Sequence, residues 1–300
     1  MLLCNFNCYS ISSREVQFKQ LWHELEKNNI KIPLWSSNWT VEELEIRFAQ
    51  LQKDRWSIYF VNSEDFGKKE AFGKWKSIFQ MPKNYKSWGS RYPYPIAFLY
   101  NLAVSNYNAS IITLHGLNFL AMEAPTDKNL AVFFAVLNDY KITDLVRLTP
   151  RIYKGREGSF PYWEGCTDIH SISGGPSIEI SGREINYFST DTWEDHQGIE
   201  PVKLLALVKA VKNSPALGSK MIAVHCRAGA GRTGAFIAAY TLINDIDQQI
   251  ASGVDVAHLE INIDKIIWEL SLQRAFMLPH FPQYLTLYKL ANYYIKTLQN

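Results

Sequence analysis

The residues best equipped for chemistry lie together in one ten-residue string, His225-Cys226-Arg227-Ala228-Gly229-Ala230-Gly231-Arg232-Thr233-Gly234. The apolar, β-prone run Met221–Val224 precedes it and reads as a buried strand, and the Ala-rich run from Thr233 to about Gln248 reads as a helix. A glycine-rich loop between a strand and a helix N-terminus is an anion site, because successive backbone N–H groups point into the concavity and the helix dipole adds positive potential. Gly229 and Gly231 let that backbone curl without a Cβ clash. The potential that holds a phosphate also favours a thiolate, and such surroundings bring a cysteine pKa from about 8.5 to roughly 3.5–7.5. Cys226 is therefore a candidate nucleophile. Arg232 offers a planar fork for two phosphate oxygens, which lysine cannot match. The Thr233 hydroxyl is placed to bond the sulfur and improve it as a leaving group. The string lacks the Gly-Lys-Ser/Thr ending of a nucleotide P-loop.

His-Cys, five intervening residues and Arg-Thr-Gly resemble the signature of the cysteine-dependent protein tyrosine phosphatases. Cys-Arg-Ala-Gly, with no lysine in the loop, is also similar to the secreted tyrosine phosphatases of bacterial pathogens. The resemblance implies an α/β fold, a twisted mixed sheet flanked by helices on both faces. It also assigns roles elsewhere. Trp193-Glu194-Asp195-His196 resembles the mobile Trp-Pro-Asp loop that supplies a general acid, which makes Asp195 the expected acid, with Asp191 and Glu194 as alternatives. Glu194 replaces the family's proline, and His196 reads as a loop residue. Gln283 matches the glutamine that positions the hydrolytic water, and Pro279 stands where a second glutamine is usual. Ser90-Arg91-Tyr92 is similar to the family's Asn-Arg-Tyr loop, so Tyr92 is expected to stack on the substrate ring and set the cleft depth, with Tyr94 as its competitor. His225 and Thr233 complete the expected catalytic set. Arg227, Ala228, Gly229, Ala230 and Gly231 form the expected phosphate cradle. Glu157 is a candidate partner for Arg232.

The remaining blocks resemble structural parts of that family. They are Asn106–Ile111, Asn118–Ala121, Glu123-Ala124-Pro125, Tyr162-Trp163 and Ser271–Met277. The resemblance covers residues 85–296, so 85–300 is expected to be a catalytic domain, with 1–84 a helical segment packed on it. Periodicity predicts helices over 13–28, from Thr40 with a Thr40/Glu43 capping box, over about 127–138, 201–213 and 263–272, and over 282–296. It predicts strands at 144–149 and 185–188. In the Thr40 helix, Val41, Leu44, Phe48 and Leu51 share one face.

The whole-chain balance fits this reading. The chain has 300 residues, 31 basic against 29 acidic, a formal net charge of +2 and 47% hydrophobic residues. That suits a packed α/β domain and argues against a dedicated nucleic-acid binder. Four cysteines, Cys4, Cys8, Cys166 and Cys226, are scattered without a metal-type pair, so a reducing, cytoplasmic compartment is expected, in the bacterial likeness a host cytosol. Residues 68–91 are locally basic, a rim suited to an acidic phosphorylated substrate. No run is long enough to span a membrane, and the first ten residues do not read as a secretory signal. The implied activity is hydrolysis of phosphotyrosine in proteins through a phosphocysteine, with no metal or other cofactor. The alternatives are a phosphoinositide or inositol phosphate phosphatase and a phosphotyrosine-binding pseudophosphatase.

Overall fold

A computed structural model of the chain describes residues 38–59, 89–91, 106–164, 177–180, 182–215, 220–274 and 276–299. The 13–28 helix, the 84/85 boundary, Cys4, Cys8, Cys166, Tyr92, Tyr94 and most of the basic 68–91 segment lie outside the described residues.

Eight strands are present among the described residues: β1 Ala109–Leu114, β2 Leu117–Met122, β3 Asp144–Arg147, β4 Ile152–Tyr153, β5 Arg156–Glu157, β6 Ser177–Ile180, β7 Arg183–Ser189 and β8 Ile222–His225. Six of them form one sheet in the order β1-β2-β8-β3-β7-β6. The inner pairs β2/β8, β8/β3 and β3/β7 are parallel, and the edge pairs β1/β2 and β6/β7 are antiparallel hairpins. In a sheet of this kind, ligands bind beyond the carboxyl ends of the parallel strands. The signature string leaves the carboxyl end of β8 and the acid-loop string leaves that of β7, so both candidate segments open on the same edge.

The helices are α1 Val41–Tyr59, α2 Leu130–Asp139, α3 Pro201–Lys212, α4 Gly231–Ala251, α5 Ile263–Gln273 and α6 Phe281–Gln299. Phe133, Val136 and Leu137 of α2 share a buried core with Leu120, Met122, Leu145, Ile185 and Ala223 of one sheet face. Side chains alternate across a strand, so Phe119, Ile222 and Val224 turn to the opposite face. There Phe119 meets Tyr240 of α4 edge-on, with ring centroids 5.5 Å apart. Helices thus cover both faces of a mixed sheet, as the resemblance implies.

The capping box at α1 is reciprocal: Thr40 N donates to Glu43 Oε2 at 2.7 Å and Glu43 N donates to Thr40 Oγ1 at 3.2 Å. Leu44, Phe48 and Leu51 are buried, with Phe48 5.0 Å from Tyr284 of α6 between ring centroids. Val41 is exposed and does not join that buried face. Farther along α1, Arg55 donates to the carbonyls of Met277 and Leu278, and Gln52 donates to Pro279 O at 2.8 Å. Phe276 and Leu278 both hold positive φ, 60° and 54°. Non-glycine residues stay in that region only where their surroundings enforce it, and the α1 side chains supply part of that constraint just ahead of α6.

The β1/β2 hairpin turns on His115 and Gly116, whose φ values of 47° and 78° suit the mirror-image turn of tight hairpins. The turn carries the His115 ring between two carboxylates, Asp245 of α4 at 2.6 Å and Glu269 of α5 at 2.9 Å. These bonds, Asp245 first, raise its pKa to about 9 against an opposing effect of burial. A raised histidine pKa stabilises the fold fully below its ordinary value of about 6.5 and ceases to do so as pH climbs through the folded value. The urea midpoint of the wild-type chain is therefore expected to fall between pH 6.5 and 9. In His115→Gln that fall should shrink markedly, and an unchanged pH dependence in the variant would exclude the clamp. Thr40→Ala should cost about 1 kcal/mol in the same assay through loss of the cap.

Candidate active site

Cys226 is the first residue beyond β8 and is buried. Its carbonyl is held by His225, whose Nδ1 lies 3.2 Å from Cys226 O and whose Nε2 lies 2.7 Å from Tyr162 Oη. Burial, the largest cause, pushes the His225 pKa down to about 3. A neutral imidazole has one donor and one acceptor, which matches Nδ1–H donating to the carbonyl and Nε2 accepting from the tyrosine. His225 therefore acts on Cys226 through the backbone rather than as a proton carrier to the sulfur.

The loop from Cys226 to Ala230 is shaped from outside by one buried cation. Arg274, fully buried at the end of α5, donates from Nε to Gly229 O at 2.7 Å and from Nη2 to Ala228 O at 3.3 Å. It is itself seated on Ser110 Oγ and Asn108 Oδ1 at 3.1 and 3.2 Å. Burial lowers its pKa to about 10, so it keeps its charge at neutral pH. Pulling these carbonyls outward turns the intervening amides inward. Gly229 has a φ of 69°, and a Cβ there would lie 2.2 Å from Met122 O. Both facts require glycine. The helix α4 then begins at Gly231 and adds its N-terminal amides and dipole.

Burial raises the Cys226 pKa, and the net shift is nevertheless downward, through the Arg232 charge, then the Thr233 hydroxyl and the amides of Thr233 and Ala230. Thr233 Oγ1 is buried and has no hydrogen-bond partner of normal geometry apart from this influence on the sulfur. Arg232 is buried on the first turn of α4. Its Nη1 donates to Trp193 O at 2.9 Å and its Nη2 lies 3.1 Å from Asp195 Oδ1. Its Nε and Nη2 have no aligned acceptor, which leaves one edge of the fork able to give two parallel hydrogen bonds to an oxyanion.

Of the acidic residues in the 190–200 loop, Asp195 is the one beside Arg232. Asp191 is tied by an ion pair to Arg147, a buried arginine whose guanidinium sits 3.9 Å over the Trp163 ring and donates to Thr149 O. Glu194 is exposed. The loop is folded on itself by Trp193 Nε1 donating to Gln197 O at 2.9 Å, and it abuts α6 so closely that a Cβ at Gly198 would lie 2.3 Å from Thr286 Oγ1. Gln283, on the first turn of α6, is fully buried, and neither atom of its amide has a partner. The amide lies against Gly231, where a Cβ would be 2.9 Å from its Nε2.

Glu157 does not reach Arg232. It lies on the exposed β4/β5 hairpin and pairs with Arg91, while its carbonyl accepts from Arg227 Nε at 3.1 Å. That hairpin instead presents Tyr153, whose ring centroid is 5.9 Å from the Arg232 guanidinium. Arg91 is anchored on the carbonyls of Ala124 and Pro125, and its own N–H donates to the buried Glu123 at 2.7 Å. Ser90 and Asn108 also donate to Glu123, at 2.6 and 2.9 Å. The base of the candidate tyrosine loop is therefore fixed. Sequence reasoning gave no role to Arg274, Glu123 or Arg147. Glu123 and Arg274 lie in blocks that resemble the family's and Arg147 lies in the expected 144–149 strand, and a charged residue within such a structural stretch is the available signal.

The family model described as protein-tyrosine phosphatase matches residues 176–293. Receptor-type tyrosine-protein phosphatase V of Rattus norvegicus is 26% identical over 198 residues, covering 58% of this chain and 11% of the relative. Receptor-type tyrosine-protein phosphatase alpha of Homo sapiens is 25% identical over 202 residues, covering 59% of this chain and 24% of the relative. Matches of this kind span about a tenth to a quarter of the relatives' length. The solved structure described as "Structural basis of PTPN18 fingerprint on distinct HER2 tyrosine phosphorylation sites" is similar in fold, with a TM-score of 0.63, 16% identity, and coverage of 83% of this chain and 95% of that one.

Two glycines with positive φ separate close packing from backbone strain. Gly116, at 78°, has nothing within 4 Å of its would-be Cβ, whereas Gly229 meets Met122 O. Gly116→Ala should cost roughly 1 kcal/mol, the strain of a left-handed alanine. Gly229→Ala should cost clearly more in urea unfolding and should weaken binding of inorganic phosphate, measured by calorimetry, about tenfold or more. Equal costs at the two positions would mean that close approach does not set the requirement at Gly229.

Proposed function

We propose that this chain is a protein tyrosine phosphatase, the family whose model matches residues 176–293, and that it hydrolyses phosphotyrosine in proteins through a phosphocysteine intermediate. One observation carries the reading: the buried Cys226 thiol, its pKa lowered, shares a loop with an Arg232 guanidinium whose Nε has no aligned acceptor and whose Nη2 ion-pairs with Asp195. A dianionic phosphoryl group on an aryl oxygen suits each part. The Cys226 thiolate attacks phosphorus in line, and the bond from phosphorus to the tyrosine oxygen breaks. Asp195 delivers a proton to that oxygen, without which a phenolate leaves slowly. The loop amides and Arg232 neutralise the equatorial oxygens as their charge shifts. The ionised Asp195 then takes a proton from water held by Gln283. That water attacks the phosphocysteine, and inorganic phosphate and the thiolate are released.

The fit of the residues supports Asp195 over Asp191, since Asp191 is engaged with Arg147 at the start of the loop. Tyr92 follows directly on the anchored Arg91 and is proposed as the aromatic wall of the cleft. The mammalian receptor-type relatives lend no support to the likeness with secreted bacterial phosphatases. No described helix is long and apolar enough to cross a membrane. The need for a reduced thiol favours a cytoplasmic setting for the domain.

Turnover of a phosphotyrosine peptide should greatly exceed that of a panel of phosphoinositides, and the reverse order would replace the substrate class. Cys226→Ser should abolish turnover while retaining phosphopeptide binding. Binding without turnover in the wild type would make the chain a phosphotyrosine reader. Arg232→Lys keeps the charge and loses the fork, with an expected fall in kcat of roughly 10²-fold or more. Asp195→Ala should lower the rate on a poor leaving group by roughly 10²–10⁴ and flatten the basic limb of the pH–rate profile. If that limb persists in Asp195→Ala and vanishes in Asp191→Ala, the acid is Asp191.

A further inference from the structure

We propose that His196 and His280 form an acid-sensitive latch that positions the Asp195 loop, holding it against the start of α6 at neutral pH and releasing it as the pH falls. The proposal rests on the reading of the 190–200 loop as the carrier of the acid, and it concerns regulation of that loop. His196 immediately follows Asp195, and His280 immediately precedes α6 and lies three residues before Gln283. The two rings face each other with centroids 4.0 Å apart and planes inclined by 33°. His196 adopts a φ of 65°, a left-handed conformation that a non-glycine residue keeps only when its contacts enforce it. The other contacts of this loop with its surroundings, at Arg232, Trp193 and Gly198, involve groups that do not change charge near neutral pH. The histidine pair alone among them does so.

Several charges surround the pair. Asp195 Oδ2 lies 3.7 Å from His196 Nε2, so one imidazolium is tolerated and partly compensated. Asp195 is also drawn to Arg232, and Lys154 of the β4/β5 hairpin is influenced by Asp195 and Glu194. A single carboxylate already shared with Arg232 does not offset two imidazolium rings in face contact. Burial pushes the His280 pKa down, a charge on His196 pushes it further down, and Asp195 opposes both. A histidine whose pKa is lowered in the docked loop favours docking above the ordinary value of about 6.5 and opposes it as pH falls through the docked value. Acidification is thus expected to move the acid away from Arg232. The positive φ at His196 adds to this, because release lets the residue relax.

Hydrogen exchange of the amides from Trp193 to Ile199 in the full chain tests the latch without relying on turnover. Protection factors, corrected for intrinsic exchange, should fall roughly tenfold between pH 7.5 and 5 in the wild type as the docked population is lost. His280→Phe keeps a ring contact and removes the buried imidazole, so it should abolish most of the fall, and His196→Phe, which removes only the neighbouring ring's charge, should reduce it. His280→Ala removes the contact and should lower protection at both pH values, which His280→Phe should restore. An undiminished fall in both phenylalanine variants, or no fall in the wild type, overturns the proposal. A chain with no phosphatase activity but with this exchange pattern would retain the latch and lose only the reading of what the loop delivers.

Discussion

A buried guanidinium that holds carbonyls away from the Cys226 thiol underlies the rest of the candidate site. A peptide loop has as many C=O groups as N–H groups, and a concave surface that binds an oxyanion must hide the first and show the second. Arg274 does this for Ala228 and Gly229, and Ser110 and Asn108 fix Arg274 in turn. A buried, unpaired cation is costly. Its cost is offset here by four polar partners and by the long-range attraction of Glu123 and the Cys226 thiolate. The result is reciprocal: Arg274 shapes the loop, and the anion the loop favours keeps Arg274 charged.

Burial and charge oppose each other at Cys226, and their balance decides its reactivity. In an apolar interior alone, the thiol would be raised and inert. The downward shift arises because the burial is by amides, a hydroxyl and a guanidinium, all of which favour the anion. Excluding water from those same groups strengthens them, since the local dielectric is low. His225 shows the complementary case. It has burial without a compensating carboxylate, so it stays neutral and can serve as a fixed hydrogen-bond bridge from Tyr162 to the Cys226 backbone.

The strand, loop and helix around Cys226 were legible in the sequence because three local signals agreed: a β-prone apolar run, glycines at positions that need them, and an Ala-rich helix start. The capping box at Thr40 and Glu43 and the proline opening α3 were legible for the same reason. What was not legible depends on tertiary distance. Glu157 is close in pattern to a partner for Arg232, yet the hairpin geometry gives it to Arg91. Asp191 and Asp195 are indistinguishable by composition, and they separate only when β3 brings Arg147 beneath one and α4 brings Arg232 beneath the other. Val41 fits the apolar stripe of α1 but is left exposed. Arg55, later on the same helix, was unremarked and turns out to fasten Met277 and Leu278.

That last contact extends the chemistry back toward the N-terminal side of the chain. Gln283 cannot be placed by α6 alone, because a helix is free to rotate and slide until its first turn is fixed. The segment that fixes it holds two non-glycine residues at positive φ, a conformation costing of order 1–3 kcal/mol per residue. Arg55 and Gln52 bond the carbonyls of residues 277–279, and Leu278 N donates to Ala230 O. The loop before α4, the strained segment and α1 are thereby linked by hydrogen bonds in sequence. A change in α1 that loosens these bonds would act on Gln283 and on the His280 ring together, and so on the placement of the Gln283 amide and of the 190–200 loop. The helix before the catalytic strands is in this sense a support of the site, although none of its described side chains contributes to the chemistry.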